Sequence, residues 1–165
     1  MKFTSIALET AAALALALVA SCSTMSSAPS TFSPITTASF GKLQDGREAT
    51  AYTLRNRAGM KAVLTNFGAT LVSFEMPDKN GDVADVVLGF DDVSGYESDR
   101  NQYFGCIAGR VANRLQNARF ALDGELYELP ANDAPHTLHG GNVGFGRRLW
   151  SATLGGGAEV TFTYV

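Results

Sequence analysis

Short runs of β-prone residues, each followed by residues typical of tight turns, recur along most of this chain. Six of the runs form three candidate hairpins: 49–54 with 60–65, 118–122 with 126–129, and 150–153 with 159–165. The turn of the second hairpin contains Asp123-Gly124, a dipeptide that readily adopts the positive φ angles of a tight hairpin loop. No stretch shows the apolar periodicity of an amphipathic helix of three turns or more. The pattern predicts an all-β sandwich or barrel.

Two further strands are predicted in the first half of the chain. One runs from Ala69 to Met76 and ends at Pro77. The other runs from Val83 to Phe90 and contains Val86-Val87-Leu88, which is typical of a buried strand. The residues from Asp91 to Gln102 are polar and aromatic without a period, so we expect a long surface connection there.

The N-terminal residues are predicted to lie outside the folded domain. A basic start at Met1-Lys2 precedes an apolar run from Ile6 to Ala20, which is too short for a stable membrane anchor but long enough for an export signal. We predict a signal peptide over residues 1–21, which runs into Leu18-Val19-Ala20-Ser21-Cys22. This ending resembles a bacterial lipobox, in which the cysteine is lipidated. The alternative is an ordinary signal peptide cleaved near the same small residues.

Residues 22–37 are rich in Ser, Thr, Ala and Pro and are interpreted as a flexible tether. The folded domain should therefore begin near Ala38 and occupy residues 38–165. Together these features predict an exported, periplasmic protein that is anchored to a bacterial membrane only through lipid on Cys22.

The remaining cysteine and the charge exclude several other classes. Cys22 and Cys106 are the only cysteines, so a lipidated Cys22 leaves Cys106 without a partner for a disulfide. Cys106 lies in an apolar stretch with no base nearby in sequence, so we interpret it as a small buried hydrophobic residue rather than a nucleophile. The formal net charge is −3 and the basic residues are scattered, which argues against a nucleic acid partner.

Both histidines of the chain, His136 and His139, lie in one glycine-rich segment, residues 130–146, between predicted strands. A loop supported by a rigid sheet is a common location for binding residues. Two histidines without a third ligand nearby fall short of a zinc signature, so no metal site is predicted. The run from Gly140 to Gly146 lacks the lysine and the strand-to-helix context of a phosphate-binding loop.

Four motifs in order resemble the N-terminal half of the aldose 1-epimerase (galactose mutarotase) family. They are Asn66-Phe67-Gly68-Ala69-Thr70-Leu71-Val72-Ser73, Asp85-Val86-Val87-Leu88-Gly89-Phe90-Asp91, Gly109-Arg110-Val111-Ala112-Asn113-Arg114-Leu115, and Leu138-His139-Gly140-Gly141 with Gly144-Phe145 and Trp150 following. The resemblance implies a partial galactose mutarotase-like β-sandwich with a sugar site in a cleft. It also implies interconversion of the α and β anomers of an aldohexose such as glucose or galactose, without cofactor or metal.

The resemblance assigns substrate binding to Asn113, Arg114 and His139, whose donors and acceptors suit the hydroxyl groups of a pyranose. Trp150 has two open interpretations, a ring face for sugar C–H groups or a packing residue. The acid and base of the family are a glutamate and a second histidine that match no position up to Val165, so no catalytic residue is expected within this chain. His136 remains a possible substitute.

Three functional classes stay open at this point. The first is an exported aldose 1-epimerase, of which this chain, ending within a predicted strand at Val165, is a truncated part. The second is a catalytically inactive sugar-binding lipoprotein or relic. The third is a related enzyme that acts on a hexose 6-phosphate, for which the sequence shows no dedicated phosphate cluster.

Overall fold

An antiparallel five-stranded sheet forms the first half of the computed structural model, which describes residues 33–165. Its strands follow each other in sequence order: β1 Ile35–Lys42, β2 Glu48–Arg55, β3 Lys61–Thr65, β4 Thr70–Pro77 and β5 Val83–Asp85. The predicted hairpin of β2 and β3 is confirmed, with Ala51 opposite Thr65 and Arg55 opposite Lys61. The strand predicted from Ala69 to Met76 is confirmed as β4.

The domain begins earlier than predicted. Strand β1 starts at Ile35, which pairs with Leu54, so residues 35–37 belong to the sheet and not to the tether. Thr36 and Thr37 are β-branched residues, which fit a pleated edge strand and do not require a flexible chain. The predicted signal peptide, Cys22 and the rest of the tether up to residue 32 lie outside the described residues.

The core lies on one face of this sheet. It consists of Phe40, Leu43, Ala49, Ala51, Phe67, Val72, Val93 and Tyr96, all of which are buried. The alternation along β2 explains the two faces of the sheet, because Ala51 contributes to this core whereas its neighbour Tyr52 points to the other face. There Tyr52 meets Phe162 edge to face, with ring centroids 5.5 Å apart.

A short helix corrects the predicted surface connection between Asp91 and Gln102. Helix α1, Val93–Glu97, begins after Asp92, whose side chain accepts a hydrogen bond from the N–H of Gly95. Val93 and Tyr96 are each only 1% exposed, so this segment is part of the core. Two apolar side chains three residues apart lie on the same face of a helix, a pattern too short to be recognised in the sequence.

The predicted buried strand from Val83 to Phe90 is wrong beyond Asp85. Strand β5 has only three residues, and Val86 and Leu88 are 60% and 74% exposed. The carboxylate of Asp85 ends the regular pairing, since it accepts hydrogen bonds from the N–H groups of Phe74 and Val87.

The second half of the described chain contains three two-stranded sheets. The predicted hairpins appear as β7 Arg119–Leu122 with β8 Glu125–Glu128, and β10 Ser151–Leu154 with β11 Val160–Thr163. Asp123 and Gly124 have φ angles of 53° and 83°, as the hairpin sequence predicted. The third sheet joins two distant dipeptides, β6 Arg114–Leu115 and β9 Thr137–Leu138. Within residues 33–165 no helix combines the length and the apolar character needed to cross a membrane.

The turn between β3 and β4 attaches the second half to the first. The N–H of Gly68 donates to the carbonyl of Arg148 at 2.7 Å, and the N–H of Trp150 donates to the carbonyl of Asn66 at 2.8 Å. On the other side of the turn, the N–H of Ile107 donates to the carbonyl of Gly68 at 3.0 Å. Main-chain hydrogen bonds therefore tie the chain on both sides of residues 109–146 to this one turn of the five-stranded sheet.

Candidate sugar site

Residues 109–117 and 130–146 form two adjacent loops, called the loop pair below. The short ladder of β6 and β9 joins them, with Arg114 opposite Leu138 and Leu115 opposite Thr137. Directly beyond the ladder, the N–H of His139 donates to the carbonyl of Asn113 at 2.9 Å. The structure therefore places Asn113, Arg114 and His139 next to each other, although Asn113 and His139 lie 26 positions apart in the sequence.

The hydrogen bonding of His139 defines its tautomer. The main-chain N–H of Asn113 donates to Nδ1 of His139 at 3.1 Å, so Nδ1 acts as an acceptor. A neutral imidazole has one donor and one acceptor nitrogen, and the proton is therefore assigned to Nε2. Asn113 and His139 both have positive φ angles, 60° and 50°, which is the backbone conformation that brings this N–H to the ring. In its neutral form His139 consequently offers Nε2–H as a donor to a ligand.

Arg114 is held by two side chains of the loop pair. Its Nε donates to the Asp133 carboxylate at 2.5 Å, and its Nη1 contacts Oδ1 of Asn113 at 3.4 Å. The side chains of Arg114 and Asp133 are 52% and 38% exposed, so this ion pair contributes little to stability. Its effect is to orient the guanidinium and to offset its charge.

Two residues that the sequence did not single out support His139. The Tyr103 ring lies against the imidazole, with centroids 4.7 Å apart. The Asn132 amide donates to the Tyr103 hydroxyl at 3.3 Å and to the Leu138 carbonyl at 3.0 Å, and its oxygen accepts from the Leu138 N–H at 2.8 Å. Asn132 lies within the glycine-rich segment 130–146, but its residue type alone gives no sign of this role, and Tyr103 lies outside every motif quoted above.

The glycines after His139 permit close contact within the loop pair. Gly140 has a φ of 91°, and a Cβ on it would overlap with the carbonyl oxygen of Gly109. That same carbonyl accepts a hydrogen bond from the N–H of Phe145 at 3.1 Å. Only glycine allows the backbone at position 140 to approach Gly109 in this way.

His136, like His139, accepts a main-chain hydrogen bond at Nδ1, but it lies elsewhere in the loop. Its Nδ1 accepts from the N–H of Asn117 at 3.1 Å, and its main chain forms a bridge with Asp133. The side chain is half-buried. Within residues 33–165 neither imidazole hydrogen-bonds to a carboxylate, so no partner there would polarise His136 as a general base.

Trp150 belongs to a cluster of aromatic rings. Its ring lies 5.4 Å from Phe145 and 5.6 Å from Tyr164, and its Nε1–H donates to the carbonyl of Phe145 at 3.1 Å. The Arg110 guanidinium lies over the Phe145 ring at 5.1 Å. These contacts favour the packing interpretation of Trp150 over a role as a free platform for a sugar.

A cavity of about 230 Å³ is lined largely by residues of the loop pair, but Asn113, Arg114 and His139 do not line it. It is lined by Arg110, Val111, Leu115, Phe120, Leu129, Thr137 and Gly140. Adjacent strand residues point to opposite faces, so Leu115 borders this cavity whereas Arg114 does not. Asn113 and Arg114 are exposed and His139 is half-buried, which leaves the candidate site accessible from solvent.

Cys106 and Asp85 lie in surroundings that indicate structural roles. Cys106 is half-buried, and burial raises the pKa of its thiol, which does not favour a nucleophilic thiolate. Hydrogen bonds from the Phe74 and Val87 N–H groups lower the pKa of Asp85, which has a structural role. In the described part of the chain no three His, Cys, Asp or Glu side chains are grouped so as to hold a metal ion.

Comparison with known proteins assigns this architecture. The family model for aldose 1-epimerase matches residues 50–165. The chain is 43% identical over 102 residues to a probable aldose 1-epimerase of Arthroderma benhamiae, covering 59% of this chain and 23% of that protein. It is 38% identical over 126 residues to the galactose mutarotase of Bos taurus, covering 76% of this chain and 36% of that protein. The chain thus spans about a quarter to a third of the length of these relatives.

A solved structure agrees with the fold. The GalM/aldose epimerase homologue from C. elegans superposes with a TM-score of 0.62 and 42% identity, over 67% of this chain and 34% of that one. This similarity confirms the predicted all-β, mutarotase-like fold class. Together with the family match over most of the described residues, it shows that the chain belongs to the aldose 1-epimerase family.

Proposed function

We propose that the protein is an aldose 1-epimerase that interconverts the α and β anomers of an aldohexose such as glucose or galactose. In this proposal the loop pair binds the sugar through Asn113, Arg114 and His139. The observation that carries the proposal is the joint placement of these three side chains across the β6–β9 ladder.

The donors of the site suit a polyhydroxyl ligand. His139 offers Nε2–H, because its Nδ1 is occupied by the Asn113 N–H. Arg114 uses Nε and Nη1 within the loop pair, and among the described residues no partner engages its Nη2. Such donors can bind the hydroxyl and ring oxygens of a pyranose, which are acceptors.

The charge of the site favours a neutral sugar over a hexose phosphate. Asp133 offsets the charge of Arg114 at 2.5 Å, so the pair presents little net positive charge. Recognition of a phosphate group normally uses unpaired arginines or lysines or a row of free N–H groups. We therefore prefer a neutral aldohexose as the substrate.

The reaction requires proton transfers that the loop pair does not supply alone. A base removes the proton of the anomeric hydroxyl, and an acid protonates the ring oxygen as the C1–O5 bond breaks. Rotation about C1–C2 and closure then give the other anomer. We propose that a glutamate and a second histidine, as the family resemblance implies, perform these steps from polypeptide outside residues 1–165.

Polarimetry of freshly dissolved α-galactose tests this function. The complete protein should raise the rate of anomerisation, whereas residues 33–165 alone should not exceed the spontaneous rate. His139→Ala in the complete protein should weaken galactose binding by about tenfold or more, the effect of losing about 1.4 kcal/mol. An unchanged affinity in this variant would contradict the assignment of His139.

A sugar-binding protein without activity is the second candidate. The described residues favour it in one respect, because the hydroxyl-binding groups are assembled there without an acid and base pair at either imidazole. Galactose binding by the complete protein, measured by calorimetry, with no acceleration of anomerisation would select this candidate. Acceleration would exclude it.

We further propose that the protein is exported to the periplasm and anchored by lipid on Cys22. The support is the sequence alone, the apolar run from Ile6 to Ala20 followed by the lipobox-like ending at Cys22. Expression with an alkyne-tagged palmitate analogue should label the protein and place it in the membrane fraction. Cys22→Ser should abolish the label, and Cys106→Ser is the matched control that should retain it.

A further inference from the structure

We propose that Asn132 and Tyr103 are positioning residues that hold His139 in the Nε2–H tautomer and in a single ring orientation. The proposal deepens the sugar site and, in its consequence for binding, rests on the proposed function. Its basis is a continuous set of contacts from Asn132 to Tyr103, from Tyr103 to His139, and from His139 to Asn113.

Asn132 fixes the backbone that carries His139. Its side-chain amide exchanges two hydrogen bonds with the main chain of Leu138, accepting at 2.8 Å and donating at 3.0 Å. This pair of bonds imitates the way a neighbouring strand would pair with Leu138. Because Leu138 directly precedes His139, rotation of the peptide between them is restricted, and the Asn113 N–H stays at Nδ1.

Tyr103 restricts the ring itself. Its own ring is tilted by 55° against the imidazole at a centroid distance of 4.7 Å. The hydroxyl group of Tyr103 is held at 3.3 Å by the same Asn132 amide that binds Leu138. One asparagine therefore determines both the backbone and the packing surface of His139, while Asn113 occupies Nδ1 from the other loop.

Whether Nε2 of His139 acts as a donor depends on these contacts. If Nδ1 lost the Asn113 N–H, the neutral imidazole would populate both tautomers, and Nε2 would be an acceptor in part of the molecules. A ligand oxygen that accepts from Nε2–H would then bind less often. Side chains that orient a binding imidazole through its other nitrogen have this effect in many sites.

Long-range 1H–15N correlation spectra of the histidine side chains test the proposal without any sugar. In the complete protein without substitutions, at a pH where the spectrum shows neutral imidazoles, both histidines should give the pattern of the Nε2–H tautomer. Asn132→Asp keeps the size and the acceptor for Leu138 but loses both donated bonds. Tyr103→Leu removes the ring. Each variant should shift His139 to a mixture of tautomers.

The experiment contains its own controls. His136 takes its Nδ1 hydrogen bond from Asn117 and should keep its tautomer in Tyr103→Leu. Tyr127→Phe, at a 45% exposed tyrosine of β8, should change neither histidine. Unchanged amide signals from β1 to β4 will show that a variant is folded, and Tyr103→Leu keeps the test valid if Asn132→Asp does not fold.

Galactose titration then links positioning to binding. In the complete protein Asn132→Asp and Tyr103→Leu should each weaken galactose binding by about tenfold, and Tyr127→Phe should not. A single, unchanged His139 tautomer in both variants would overturn the proposal whatever the sugar does. A changed tautomer with no galactose binding even by the parent protein would support the positioning role and refute the proposed function instead.

Discussion

The five-stranded sheet and the loop pair are held by different kinds of interaction. Strands β1 to β5 pair through continuous main-chain ladders and bury Phe40, Val72 and their neighbours in one core. The loop pair has a ladder of only two residue pairs and depends on single side chains such as Asn132, Asp133 and His139. The sheet should therefore control global stability, whereas the loop pair should control ligand binding.

The largest effect on stability is expected from the core of the sheet. Phe40 is 7% exposed and its ring lies 5.9 Å from that of Tyr96. Phe40→Ala should lower the free energy of unfolding by about 3–5 kcal/mol, because it removes a buried ring and leaves a cavity. Urea denaturation followed by circular dichroism measures this. Thr37→Ala, at an exposed position of the same strand, is the control and should change it by less than about 0.5 kcal/mol. An equal effect of both variants would contradict the role of the buried core in the stability of the sheet.

Substitution of Gly140 is expected to cause a smaller loss of stability but a complete loss of galactose binding. Gly140→Ala places a methyl group on the Gly109 carbonyl at a φ of 91°, so the loops must separate. We expect about 1–3 kcal/mol of destabilisation from the strained backbone and no detectable galactose binding. Gly156→Ala is the control, since a Cβ there has no neighbour within 4 Å and the backbone is not in the left-handed region, and it should be neutral. Retained binding in Gly140→Ala would show that the approach of the two loops is dispensable.

Asp133→Asn separates binding from stability within the loop pair. The ion pair with Arg114 is largely exposed, so stability should change by less than about 1 kcal/mol. Galactose affinity, measured by calorimetry, should fall several-fold because the guanidinium loses its orienting partner. Asp99→Asn, at an exposed aspartate, controls for the change in charge. Both Asp133→Asn and the parent protein should bind galactose more tightly than galactose 6-phosphate. The opposite preference in both proteins would argue for a phosphorylated substrate.

The smallest effect concerns the dependence of sheet stability on pH. Main-chain hydrogen bonds from Phe74 and Val87 lower the pKa of Asp85 in the folded state. A carboxyl group whose pKa is lowered by folding stabilises the protein above its unfolded pKa, and this contribution is lost as the pH falls through the folded pKa. Asp85→Asn should therefore reduce the acid sensitivity of unfolding slightly. An Asp85→Asn profile identical to that of the parent protein would exclude a role for Asp85.

Local turn chemistry determined much of the fold directly. The hairpins of β2 with β3, β7 with β8 and β10 with β11 follow from turn residues that act within four or five positions, as Asp123-Gly124 shows. The motifs that indicated the family also lie in continuous stretches, so they can be recognised without knowledge of the distant contacts that Gly140 and His139 make with Gly109 and Asn113.

Only the tertiary structure decided which distant residues meet. It placed Val93 and Tyr96 of a one-turn helix in the core, left Val86 and Leu88 exposed, and extended the sheet to Ile35. It also brought Asn113 to His139, and Tyr103 to Asn132, across 26 and 29 positions of sequence. A hydrogen bond between segments so far apart depends on the register of a ladder and on the packing of the whole domain, which no local pattern of residue types encodes.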